Sequence, residues 1–143
     1  MNEKPQVAVY TRVAKAGNPV AQDLQHFQCW DWAESRGMEI TQVYHSTGEN
    51  DLFLDLLNDV SAGGYDAVVA TEHSRYNRRA ERLRALTDLA RQHGIQVYTV
   101  AADDLDLASP AGTLTLEMLS GSEAAEEQAI ARRQVERSWK DRS

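Results

Sequence analysis

The sequence has little cysteine, no long apolar run and no net positive charge, and each shortage closes a class of function. A single cysteine, Cys29, excludes an internal disulfide and fits a reducing, cytoplasmic setting. Within QHFQCWDWAE it reads as a buried residue on a helix face, not a reactive thiol. One cysteine and four scattered histidines (His26, His45, His73 and His93) show no ligand spacing, so no metal is expected. No stretch is long and apolar enough for a membrane-crossing helix, and Met1 leads straight into polar residues, unlike a signal peptide. A net charge of −7 argues against non-specific nucleic-acid binding by the body of the chain.

What is present reads as one globular domain. The 143 residues are 42% hydrophobic and 26% charged, enough for an ordinary core. The charge is uneven. Residues 132–143, RRQVERSWKDRS, carry +3 and the rest −10. Those cations suit either a solvated helix end, where they complement the dipole, or the start of a basic arm.

Strands and helices alternate. QVAVYTRV (6–13) reads as a buried strand ending on Arg12 and Val13. Asn18 is placed to cap a helix with Pro19 at its first position. That helix runs to about Arg36, with Leu24, Phe27 and Trp30 or Trp32 as its apolar stripe, and Gly37 ends it. MEITQVYH (38–45) is a second strand. Residues 51–61 form a short helix with Leu52, Phe53, Leu56, Leu57 and Val60 at helical spacing. YDAVVAT (65–71) is a third strand, β-branched as a central parallel strand should be. A helix follows to about His93, then a fourth strand, IQVYTVA (95–101), and a polar connection with room for a short edge strand. Ser109 and Pro110 open a last helix. The alternation predicts an α/β three-layer sandwich around a mostly parallel four- to five-stranded sheet.

In open parallel sheets, sites form beyond the carboxyl ends of the strands. The loops leaving there carry Arg12, then Arg75 and Arg78, with Arg79 following. A spacing of three puts Arg75 and Arg78 on one face of a helical turn. Guanidinium forks gathered at such an edge suit phosphate. The competing reading pairs them with nearby acids such as Glu72 and Glu81.

These residues, in this order, resemble the N-terminal catalytic domain of the serine recombinases, the resolvase and invertase group with its large-integrase relatives. The resemblance rests on VAVYTRV, on Gln25 ahead of CWDWAESRGMEI, on LDLLNDVSAGGYDAVVA, on HSRYNRR, on HGIQVYTV and on LDLASPAGTLTLEMLSGSEAAEEQAIAR. It implies a domain that joins and breaks DNA through a phosphoserine link, without metal or nucleotide. In it, arginines stabilise charge on the non-bridging phosphate oxygens. It also implies dimers that pair into tetramers, and a nucleoid, phage or plasmid setting.

Position by position, the chain departs from that pattern. The nucleophilic serine falls at Ala14, in Arg12-Val13-Ala14. The aspartate after the second strand falls at Ser46, an active-site arginine in the next loop falls near Asp51, and a further aspartate falls at Ser74. Arg12, Arg75, Arg78 and Glu126 survive. The catalytic-site set implied is therefore Ala14 in the nucleophile position with Arg12, Arg75 and Arg78. DNA contacts are expected from Arg12, Arg75, Arg78, Arg79, Arg132, Arg133 and Arg137.

From about Pro110 to Arg142 the last helix would run about 45–50 Å, longer than a domain of this size can cover. Leu114, Leu116, Met118 and Leu119 are expected to pack at its start. A break near Ser120-Gly121-Ser122 is the alternative to one continuous helix. The expected division is 1–109 as the catalytic-type α/β domain and 110–143 as a dimerisation helix, with no helix-turn-helix module present. Two function classes follow. One is a degenerate recombinase-like protein that dimerises, binds DNA and regulates a partner recombinase without cutting. The other is an active recombinase domain silenced by an engineered serine-to-alanine change. A weaker third is a small phosphorylated ligand at the arginine edge.

Overall fold

The computed structural model describes residues 4–14, 19–76 and 80–118. Elements alternate as β1 (Gln6–Val13), α1 (Pro19–Ser35), β2 (Glu39–Thr47), α2 (Phe53–Ser61), β3 (Ala67–Ala70), α3 (His73–Tyr76), α4 (Ala80–Gln92) and β4 (Gln96–Thr99). Residues 110–118 are helical. The four strands form one sheet in the order β2-β1-β3-β4. Every pairing is parallel.

The interior strands β1 and β3 have both faces covered. Ala67 through Ala70 are all buried, which is why that stretch reads as a continuous apolar run. Alternation along the pleat sends Val7, Val9, Ala67 and Val69 to one face. There they meet Cys29, Trp32 and Ala33 of α1. Ala8, Tyr10 and Val68 go to the other face and pack with Phe53, Leu56, Val60, Leu83 and Leu86 of α2 and α4. Cys29 is a buried free thiol, and burial pushes its pKa up to about 12.

Of the stripe expected on α1, only Trp32 packs. Leu24, Phe27 and Trp30 are 56%, 61% and 46% exposed. The buried row is Gln25, Cys29, Trp32 and Ala33. Apolar residues occupy more than one side of this helix, so periodicity alone offers two rows. The sheet selects the second because Gln25 docks into the backbone of β1, as described below. On α2 the expected residues do face the core: Phe53, Leu56 and Val60 are buried, with Leu52 and Leu57 partly so.

Helix ends follow local chemistry. Gly37 and Gly94 adopt φ of 67°, a left-handed conformation that costs glycine least. The next amides bond back into their helices, Met38 N–H to Ala33 C=O at 2.9 Å and Ile95 N–H to Ala90 C=O at 2.8 Å. Ser109 caps the last helix by accepting the Gly112 N–H at 3.1 Å, with Pro110 at the first helical position. The expected cap at Asn18 lies outside the described residues.

The polar connection after β4 forms turns. Leu107 N–H reaches Val97 C=O at 2.7 Å, but no fifth strand forms among the described residues. At the start of the last helix, Leu116 packs partly against the core. Leu114 and Met118, expected to pack there, are instead exposed, and Leu114 borders a surface hollow with Arg91 and Ala108. Leu119 and the remaining length of the expected helix lie outside the described residues. Among the described residues no helix is long and apolar enough to cross a membrane.

Candidate functional site

The carboxyl ends of β1, β2 and β3 lie side by side, so three connections gather at one edge. Register pairs Arg12 with Ser46 and Val13 with Thr47. A Cβ on Gly48 would collide with the Ala14 carbonyl oxygen, so the loops leaving β1 and β2 touch through a position only glycine fits.

Arg12 is fixed through its backbone. The Gln25 side chain accepts the Arg12 N–H and donates to the Arg12 C=O, both at 2.9 Å. This two-point bond mimics a strand partner and explains why a polar residue is buried on α1. The Arg75 guanidinium donates from Nη1 to the same carbonyl at 3.3 Å. Sixty-three residues apart in sequence, Arg12 and Arg75 therefore meet at one point.

The guanidinium of Arg12 continues on the face set by Ala8 and Tyr10. Its Nη1 is buried and has no hydrogen-bond partner. A buried charged donor left unpaired is costly in a closed fold, so such an atom calls for an explanation. Arg75 is partly spoken for. Its Nε lies 3.3 Å from Glu72 Oε1 without the alignment of a hydrogen bond. The pairing with Glu72 weighed from sequence is thus present, and it leaves the Arg75 Nη1 directed at the Arg12 carbonyl.

Two acidic or hydroxylic positions complete the edge. Asp51 Oδ1 accepts the Phe53 N–H at 3.0 Å and Oδ2 pairs with Arg82 Nη2 at 2.6 Å. Partial burial pushes the Asp51 carboxyl up. The Phe53 N–H, Arg82 and the field of Arg12 together outweigh it and hold the group below the usual carboxylate range. Ser46 is fully buried and its Oγ accepts the Leu52 N–H at 2.8 Å. Both residues thus satisfy amides at the start of α2. Beneath them Tyr10 stacks on Tyr76 and meets Phe53 edge-on, each at 5.9 Å. The Tyr10 hydroxyl faces Ser46 without the alignment of a hydrogen bond, and burial raises its pKa.

On the α1 side of the edge, Thr11 Oγ1 and His45 Nδ1 lie 2.6 Å apart, and the His26 ring centre is 5.6 Å from that of His45. Burial and then His26 lower the His45 pKa. No group of three metal-ligating side chains occurs among the described residues.

The positions expected from sequence divide into two groups. Arg12 and Arg75 meet at the Arg12 carbonyl, and Ala14 stands exposed just after β1 with only a methyl side chain. Ser46 is fully buried, and its Oγ accepts the Leu52 N–H. Ser74 is exposed on α3. Arg78, Arg79, Arg132, Arg133, Arg137 and Glu126 lie outside the described residues. Sequence reasoning missed Arg82, whose partner is 31 positions away, and missed what Gln25 does for Arg12.

The family model "Resolvase, N terminal domain" matches residues 7–142. Among solved structures, the N-terminal catalytic domain of TP901-1 integrase superposes with a TM-score of 0.69 at 24% identity, covering 87% of this chain and 98% of that one. A resolvase family site-specific recombinase from Streptococcus pneumoniae gives 0.69 at 22% identity, covering 93% and 95%. The C-terminal catalytic domain of ISC1926 TnpA, an IS607-like serine recombinase, gives 0.61 at 15%, covering 83% and 99%. At these identities the structures establish the fold. Comparison with curated protein sequences gives no match.

Proposed function

We propose a function from one premise: this chain belongs to the resolvase N-terminal domain family. It is a serine-recombinase-type domain that engages the phosphate backbone of DNA and, with Ala14 in place of a nucleophile, does not cut it. The observation that carries this reading is Arg12. Its Nη1 is buried and unpartnered at the strand edge, beside an Arg75 held on the same carbonyl. The free donor of Arg12 would meet a phosphate oxygen at this strand end, with Arg75 adding positive charge at the same edge. The residues that grip are kept, and the atom that would attack is absent.

Ser46 and Asp51 favour a native non-cutting protein over a single engineered change. Both are built into the start of α2, through Leu52 N–H and Phe53 N–H. A silencing substitution at Ala14 would leave no reason for those two positions to be specialised as well. The same reading divides the chain at 109/110, gives the basic residues of 132–143 to DNA, and makes residues 110–143 the means of self-association. Regulation then follows from occupying DNA, or from pairing with a cutting recombinase.

The test has two arms. Incubation with duplex DNA should trap no covalent protein–DNA adduct, and an adduct at any residue would overturn the non-cutting reading. Arg12→Gln should weaken binding to duplex DNA about tenfold and lower the salt slope by about one. Unchanged affinity would remove Arg12 from the interface. Ala14→Ser separates the two origins: restored cleavage points to an engineered change, and none points to native loss.

A further inference from the structure

The guanidinium groups of Arg12, Arg75 and Arg82 at this edge are not matched evenly. Arg75 has Glu72 and Arg82 has Asp51, while Arg12 Nη1 has no partner. Asp51 is the carboxylate that counts for Arg12. It lies within the electrostatic reach of that group, and its position is fixed at both oxygens, one on Phe53 N–H and the other on Arg82. The Arg82 guanidinium carbon in turn lies over the Phe53 ring, 5.1 Å from its centre. Phe53 touches Tyr10, two residues from Arg12 on the same strand face. Tyr10 feels the charges of Asp51, Arg12 and Arg82, so the three act on one neighbourhood.

We infer that Asp51 is a positioning residue that sets how strongly the Arg12 site holds phosphate. It does so in two ways, by binding Arg82 away from the site and by opposing the field of Arg12 with a fixed negative charge. Without it, a second unpaired guanidinium would stand near the first. Without Arg82, the carboxylate would be free to turn onto the unpartnered Arg12 Nη1 and occupy the place of the phosphate. The pair therefore works as a governor on affinity, suited to a protein that binds and releases a DNA backbone without reacting with it. This inference rests on the phosphate reading of Arg12.

The experiment measures binding of the full chain to a short fluorescent duplex DNA by anisotropy at several salt concentrations. Asp51→Asn keeps an oxygen for the Phe53 N–H and removes the charge. It should tighten binding about five- to tenfold. Arg82→Gln should weaken binding by a similar factor, whereas Arg84→Gln, an exposed cation on the same helix, should change it less than about twofold. Circular dichroism and melting confirm that each variant is folded. If Asp51→Asn fails to fold, the comparison of Arg82→Gln with Arg84→Gln still decides. No tightening by Asp51→Asn, or equal loss in the two arginine variants, overturns the inference. Arg12→Gln separates the levels. If it weakens binding while Asp51→Asn has no effect, the Asp51 role fails alone. If Arg12→Gln has no effect, the phosphate reading fails with it.

Discussion

At the scale of single residues, Gln25 shows how a polar side chain earns a place in the core. It is buried because both ends of its amide are used, one on the N–H and one on the C=O of Arg12. Its removal would leave the Arg12 N–H without that partner and the Arg12 C=O held only by Arg75. We expect Gln25→Ala to destabilise the fold by about 1–3 kcal/mol, measured by urea denaturation, the cost of one orphaned buried group. The same variant should weaken DNA binding, because the strand end that presents Arg12 loses its anchor. A loss below about 0.5 kcal/mol would mean that the amide is not what seats α1. Arg12 and Arg75 were legible as candidates because each sits at the end of an apolar strand or just beyond one. Their shared carbonyl was not, since contact across sixty-three residues leaves no local signature.

At the scale of elements, α1 and the last helix differ in how much the sequence reveals. α1 carries large apolar residues on the side that packs, Trp32, and on the side that does not, Leu24 and Phe27. Helical periodicity cannot choose between such rows, and here the hydrogen bonds of Gln25 chose. The last helix announces its start through Ser109-Pro110, and the structure places that cap as the residues require. It is pinned from α4: Arg91 donates from Nε to Ala108 C=O at 3.0 Å and from Nη2 to Thr113 Oγ1 at 2.7 Å. Gly112 fits because a Cβ there would collide with the Asp106 carbonyl oxygen and with the backbone of Leu107. Gly112→Ala should therefore cost about 1–3 kcal/mol by denaturant titration, despite the better helix propensity of alanine. A neutral or stabilising result would show that the turn at 106–109 yields easily.

At the scale of the whole molecule, the doubly covered parallel sheet fixes where the arginines can meet, and the exposed start of the last helix bears on assembly. Leu114 and Met118 are exposed there. Under the proposed self-association of residues 110–143, a partner copy would cover such side chains. We expect a dimer at tens of micromolar by sedimentation or light scattering. Deleting residues 128–143 should weaken that association while the far-ultraviolet signature of the sheet persists. A monomer at those concentrations, insensitive to salt, would remove self-association from the proposed function. A deletion that unfolds the chain would assign those residues to the core.

The sequence by itself determined the order of elements, the parallel sheet and the edge at which to look for a site. These depend on local signals: β-branched runs that need cover on both faces, glycines at helix ends, and a serine-proline start. It also determined that Ala14 brings no nucleophile to that edge, because side-chain chemistry does not depend on fold. Tertiary structure alone decided which row of α1 is buried, that Ser46 is sealed, and that Asp51 pairs with Arg82 while Arg12 keeps an unpaired donor. Each of these is a choice among partners far apart in the chain. Only when the strands lie side by side do distance and burial decide which charges are matched and which one is not.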